Sequence, residues 1–207
     1  MKSQALLFAI LCAGCTSASA DPAQSSEPRK TAEFRAIDLI GTIAIEARID
    51  RTTSVEVRGD ADRIKQVTTE VKNGVLVVGT KGDMKHGKVR VIITAPDFSA
   101  LTISGTGQLV ANGISNSRLD VSIPGTGSIT VTGKTGELRL AIAGTGGVKA
   151  KDLIATIARV DVQGTGEAVV HATRTLDATV SGTASIKVHG KPQVKKSISG
   201  VASISER

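Results

Sequence analysis

The chain has 207 residues, of which 22 are glycine, three are phenylalanine and none is tryptophan or tyrosine; hydrophobic residues make up 40%, charged residues 22%, and the formal net charge is +7. It is too apolar for a disordered chain and too poor in proline for collagen. A core built on large rings is excluded, so its layers must come from Val, Ile, Leu and Ala.

Both cysteines, Cys12 and Cys15, lie in the first twenty residues, so the rest of the chain has neither an internal disulfide nor a cysteine metal site. A short start carrying Lys2 precedes the apolar run 5–13 (ALLFAILCA), which has the length of a secretory h-region and is too short to span a bilayer. Two cleavage readings stand side by side. Ala18-Ser19-Ala20 before Asp21 fits general signal peptidase and makes residues 1–20 a signal peptide. Leu11-Cys12-Ala13-Gly14-Cys15 resembles a bacterial lipobox, which would end a lipoprotein signal at residue 14 and put lipid on Cys15.

Residues 21–33 (DPAQSSEPRKTAE) are polar, contain two prolines and have no periodicity, which predicts a flexible tether. Beyond it the charge is uneven. Residues 21–100 carry 13 basic and 12 acidic side chains, residues 101–207 carry 12 and 7. A positive second half suits acidic envelope polymers or anionic lipid, but no Lys/Arg block exceeds two residues, and ordinary solubility explains the charge as well.

Residues 34–98 alternate in short stretches. Ile43, Ile45 and Ala47 share one face, as do Val55 and Val57; Val71-Lys72-Asn73-Gly74-Val75 predicts a strand, an Asn-Gly hairpin turn and another strand. Residues 60–67 (DADRIKQV) suggest one short helix capped by Asp60. Val89, Val91 and Ile93 then lead into Pro96.

From residue 99 onwards an internal repeat takes over. Gly105-Thr106-Gly107, Gly125-Thr126-Gly127, Gly144-Thr145-Gly146 and Gly164-Thr165-Gly166 are followed by Gly182-Thr183-Ala184 and Gly200-Val201-Ala202, with first glycines 18 to 20 residues apart. The positions 6, 4 and 2 before each first glycine, and 4 and 6 after it, are apolar in 27 of 30 cases; the exceptions are Ser99, Lys196 and Glu206. Interleaved positions are mostly polar. Period-2 alternation inside a unit, repeated about every 19 residues, is how a parallel β-solenoid buries one face of every strand.

The fold class is therefore all-β: a single-domain parallel β-helix, expected to wind right-handed, with residues 34–98 as opening coils and end cap and 99–207 as regular coils. The corner glycines Gly105, Gly125, Gly144, Gly164, Gly182 and Gly200 must meet either a positive φ or a close backbone approach. Thr106, Thr126, Thr145, Thr165 and Thr183 should stack beside them as a ladder.

The progression from Phe34 through 55–60 (VEVRGD), 89–96 (VRVIITAP), the repeated Gly-Thr-Gly and the closing 176–182 (LDATVSG), Gly190-Lys191-Pro192 and Ile198-Ser199-Gly200 resembles the head GIN domain family of bacterial auto-transporter adhesins. The resemblance covers about residues 34–207. Departures are Ala184 and Ala202 for glycine, and His189 where relatives often carry an aromatic residue. It implies an exported β-helical domain with no catalytic residues to carry over.

Parallel β-helices also host polysaccharide lyases and hydrolases, which need carboxylates clustered on neighbouring coils. Five residues before the corner glycines stand Ala100, Asp120, Arg139, Arg159, Asp177 and Lys195, a mixed-sign ladder of the kind that solvated surfaces carry. The best carboxylate pair is Asp161 with Asp177 on the next coil, with Arg159 and Arg174 near enough to neutralise it. Gly133-Lys134-Thr135 mimics the tail of a phosphate loop but lacks the leading glycine and is read as a coil turn. His86, His171 and His189 are scattered, so a metal site would require the fold to gather them. Nucleic-acid binding would need aromatics among the basic residues, and they are missing.

The sequence reading is thus an exported, non-catalytic cell-envelope solenoid of the periplasm, outer membrane or cell surface, serving as scaffold or adhesive surface. It uses no cofactor or metal, and its partner is an envelope polysaccharide or surface protein. The membrane is engaged only through a lipid on Cys15. The alternative is a polysaccharide lyase or hydrolase using the outward carboxylates Asp161 and Asp177.

Overall fold

The computed structural model describes residues 25–82 and 89–206. Both cleavage readings, Cys15 and His86 lie outside the described residues. In chain order, β1 (Ser25–Arg29), β2 (Ala36–Leu39), β3 (Thr42–Ile49) and β4 (Ser54–Gly59) precede α1 (Ala61–Ile64), a single helical turn. Next come β5 (Val67–Lys72), β6 (Val75–Thr80), β7 (Val89–Ala95) and β8 (Ala100–Ile103). The long strands β9 (Thr106–Ile123), β10 (Thr126–Ile142), β11 (Thr145–Val162) and β12 (Thr165–Val180) follow, then β13 (Thr183–His189), β14 (Gln193–Ile198) and β15 (Val201–Glu206).

These strands form a β-solenoid with two walls meeting at the Gly-Thr-Gly corner. The wall before the corner stacks β5, β6, β2 and β8, then the second halves of β9 to β12, then β14. The wall after it stacks β1, β4, β7 and β3, then the first halves of β9 to β12, then β13 and β15. Equivalent residues pair coil to coil, so that Leu119, Leu138, Ala158, Leu176 and Val194 form one inward column. All but Val194 are buried. A buried aliphatic side chain contributes on the order of 1.5–3 kcal/mol, so the stacked columns hold the solenoid together.

The order of coils differs from the order of the chain. Strands β2 and β3 form one coil around Gly41-Thr42, and the chain then leaves through β4, α1 and β5. It returns as β6 and β7, which pair in parallel on the outer side of β2 and β3, before β8 and β9 pair on their inner side. Beyond β6 and β7 the pairing turns antiparallel, β5 on β6 and β4 on β7, which ends the parallel stack with a cap.

The Asn73-Gly74 hairpin is present, with φ of 51° and 75°, the pair of positive values that a type I′ turn requires. The helix is shorter than the sequence suggested: residues 61–64 are helical, while Val67 is buried at the start of β5. Asp60 contributes its backbone carbonyl to Arg63 and Ile64 at 2.9 and 3.0 Å, and its side chain makes no cap. The tether reading is corrected at Ser25–Arg29. These five residues form β1, antiparallel to β4 along the wall's edge, where a strand needs no apolar face and tolerates Pro28.

Two large rings do enter the core. Phe34 and Phe98 are buried at the capped end, and Phe98 fills the position next to Ser99, which is exposed rather than inward. Gly133-Lys134-Thr135-Gly136 is a second bend inside the continuous strand β10, with a register shift at Gly133.

Candidate functional site

At the main corner the threonine ladder forms as expected and is one rung longer. Thr42, Thr106, Thr126, Thr145, Thr165 and Thr183 pair in register and are exposed. The first corner glycines answer to close approach: a Cβ on Gly144 would come within 2.0 Å of the Gly125 carbonyl oxygen, and none of the six has a φ in the left-handed region. The sequence reading passed over the Gly41-Thr42 rung because 64 residues separate Gly41 from Gly105.

The wall before the corner carries the charged ladder. Ala100, Asp120, Arg139, Arg159, Asp177 and Lys195 stack in one column, and Thr102, Ser122, Ala141, Asp161, Thr179 and Ser197 in the next. Ala141 is the short side chain in that second column, beside the long Arg139 and Arg159. Around it lies a groove of about 550 Å³ lined by Asp120, Ser122, Arg139, Arg159, Asp161 and Asp177. Thus the fold brings both candidate carboxylates to one depression, as the coil spacing implied.

Ion pairs tie the groove's rim together. Glu137 holds the Arg139 Nε at 2.9 Å and also contacts Arg159, which reaches Asp177 at 3.8 Å; Arg118 holds Asp120 at 3.2 Å. Asp161 accepts from Gln163 Nε2 at 3.3 Å. Asp177 therefore has an arginine partner, whereas Asp161 has an amide. Exposed pairs of this kind contribute about 0–1 kcal/mol each, so their effect is to fix the orientation of side chains rather than to stabilise the fold. The result is a mixed-sign surface in which Asp120, Arg139, Arg159 and Asp177 surround the small, exposed Ala141, suited to a hydroxyl-rich or zwitterionic ligand.

Asp38 extends the second column toward the cap, opposite Thr102, and its Oδ1 is buried without a hydrogen-bond partner. The signal for it lay in the sequence: Asp38 stands three residues before Gly41, as Asp161 does before Gly164.

The phosphate-loop mimic is resolved as structural. Thr135 is 5% exposed, its Oγ1 donating to Asn116 Oδ1 at 2.8 Å, and strand rather than helix follows it. The two histidines among the described residues, His171 and His189, pair in register with ring centroids 6.5 Å apart. No group of three or more metal-ligating side chains forms among the described residues.

A family model described as "Putative auto-transporter adhesin, head GIN domain" matches residues 33–192. Among solved structures, a "putative adhesin" from Bacteroides fragilis is 22% identical with a TM-score of 0.72, covering 90% of this chain and 98% of that one. A "putative adhesin" from Parabacteroides distasonis is 25% identical with a TM-score of 0.59, at the same coverages. A "putative lipid binding protein" from Parabacteroides distasonis is 20% identical with a TM-score of 0.52, again at 90% and 98%. No curated protein matches the chain.

Proposed function

The chain belongs to the head GIN domain family, and from that premise we propose that it is an exported cell-envelope solenoid that works by binding, as a scaffold or adhesive surface, with the groove around Ala141 as its ligand site. The carrying observation is that groove. It spans several coils, has charges of both signs on its rim, and opens where Ala141 leaves a short, exposed side chain. A rigid solenoid is suited to such a task, because a linear polymer laid along the axis meets equivalent positions every ~4.8 Å. The partner class is an envelope polysaccharide or a surface protein. Export rests on the secretory h-region at residues 5–13, with release at Ala20 or lipid attachment at Cys15.

Capture of isolated envelope polysaccharide by the mature protein tests the reading. Ala141→Trp fills the groove from an exposed position and should abolish capture while leaving the melting temperature near wild type. Unchanged capture would remove the groove from consideration. Mass analysis of the mature N-terminus decides the anchor: diacylglycerol on Cys15 places the solenoid on a membrane, and a free Asp21 releases it.

One observation favours a second reading, a polysaccharide lyase or hydrolase: Asp161 and Asp177 line the same groove. The Arg159 contact on Asp177 argues for a binding rim, since it occupies one of the two carboxylates that a catalytic pair would need free. A glycan-cleaving activity that Asp161→Asn abolishes with the fold intact would establish the enzyme instead.

A further inference from the structure

The capped end holds a second cavity, of about 960 Å³, that shares no residue with the groove. Four connections build it: residues 31–35 between β1 and β2, the β3–β4 loop, the Asn73-Gly74 turn and the β7–β8 loop. Hydrogen bonds hold these in place. Arg35 N–H donates to the Gly74 carbonyl at 3.0 Å and the Arg35 carbonyl accepts Ser99 N–H at 2.7 Å, so Arg35 is fixed between the turn and the β7–β8 loop. Thr94 Oγ1 donates to the Thr52 carbonyl at 2.8 Å, which pins the loop carrying Arg51. The charges in this cavity differ from those around it. At the capped end Arg29, Arg48, Arg58 and Arg90 each sit in an ion pair, and Arg63 donates to Gln66. Arg35 and Arg51 line the cavity, are exposed, and have no ion pair among the described residues. Exposed Glu33 has none either, although it shares the cavity with them, and Asp97 accepts from Asn116 Nδ2 through Oδ1 at 3.2 Å, which leaves its second oxygen able to accept.

We propose that this cavity binds a short zwitterionic peptide, with its free carboxylate on Arg35 and Arg51 and its free ammonium beside Glu33 and Asp97. A guanidinium matches a carboxylate with paired N–H donors, and one without an ion pair has no internal partner to give up on binding. A ligand of one charge sign is repelled by one of the two sets, whereas a zwitterion complements both. Size points the same way. About 960 Å³ lies near the top of the roughly 300–1,000 Å³ range of small-ligand sites, which gives room for a tripeptide rather than a single amino acid. Thr31, Thr53 and Asn73 bring polar groups that can bond the peptide's amides. A sugar fits less well, because Phe34, the one ring in the lining, is 3% exposed and offers no face for stacking. Since the lining is hydrogen-bonded before the ligand arrives, little ordering cost opposes binding.

The cavity is separate from the groove, so each can fail alone. The test titrates the full mature chain, followed by NMR, with trialanine bearing free termini, with its C-terminal amide, with its N-acetyl form and with maltotriose. Free trialanine should bind, and the amide and acetyl forms should each bind about tenfold more weakly. Arg35→Gln with Arg51→Gln should weaken free trialanine about tenfold and leave the amide form where it was, since neither side then reads the carboxylate. Glu33→Gln with Asp97→Asn should weaken free trialanine in the same way and leave the acetyl form unchanged. Lys149→Gln with Lys151→Gln, which removes as much positive charge from exposed positions outside the cavity, should change nothing. Equal affinity of wild type and the double arginine variant would overturn the proposal, as would an amide that binds as well as the free peptide. So would the absence of trialanine binding, or binding of maltotriose in its place. Should a variant fail to fold, the Nε–H resonances of Arg35 and Arg51 in the wild type carry the same test: both must shift with free trialanine and not with its amide, and unmoved resonances reject the site.

Discussion

The carbonyl oxygen of Gly105 accepts the Thr126 N–H at 2.9 Å and stands where a Cβ on Gly125 would come within 2.3 Å of it. The corner's hydrogen bond and its glycine requirement are one fact, since the coil-to-coil bond draws the backbones too close for a side chain. Gly125→Ala should therefore separate two coils or break the bond. We expect a loss of about 1–3 kcal/mol by urea unfolding. Gly74→Ala, which has open space and only a φ of 75° against it, should lose about 1 kcal/mol. Equal losses would mean that conformational preference rather than close approach selects glycine at the corner.

Thr135 marks the second bend. Its Oγ1 donates to Asn116 Oδ1, while Asn116 Nδ2 donates to the Phe98 carbonyl at 2.8 Å and to Asp97 at 3.2 Å, joining the regular coils to the capped end. Thr135→Val keeps the shape but strips Asn116 of a donor. The expected cost is about 1–2 kcal/mol, and Asn116→Ala in the same background should cost less than it does alone. Additive losses in that double-mutant cycle would count against coupling.

Much of this was legible in the sequence because a solenoid repeats its own local rule. The positions around Gly125 and Gly144 specify Leu119, Val121, Leu138 and Leu140 as inward, and all four are buried. What was hidden depends on chain order. Gly41-Thr42 belongs to the corner ladder, yet its spatial neighbours come from residues far along the chain, so spacing arithmetic could not reveal it. The antiparallel cap was hidden for the same reason, because β4 and β5 alternate like any solenoid strand and direction leaves no mark on composition. β1 escaped because an edge strand such as 25–29 can be polar on both faces. As for the groove, register placed Asp161 and Asp177 correctly, but only the side-chain geometry gives one an arginine and the other Gln163.

Lys196 and Glu206 interrupt inward columns otherwise filled by residues such as Ala178 and Val188, directly opposite them on the coil before. Among the described residues β14 and β15 each pair on one side, and Ile198 and Val201 are exposed nearby. An inward charge on such a strand opposes the addition of another strand, since stacking would bury it. Lys196→Val with Glu206→Val should drive concentration-dependent self-association in light scattering, while wild type stays in its lower state. A double variant with unchanged mass would show that these charges do not guard the edge.

Acid should loosen the wall after the corner through particular carboxylates. Hydrogen bonding from Arg58, then from Ser26, holds the Glu56 pKa below its ordinary value and ties β4 to itself and to β1. The Lys187 ammonium does the same to Glu167, joining β12 to β13. A carboxylate whose pKa is lower folded than unfolded binds more protons in the unfolded chain, so its stabilisation is present above the unfolded value and is lost as pH falls through the folded one. Stability from these groups should be flat above about pH 5 and decline below about pH 4.3. Glu56→Gln with Glu167→Gln should shrink that decline in urea melts taken from neutral to acid pH. If the double variant kept the full acid dependence of wild type, other carboxylates would govern it.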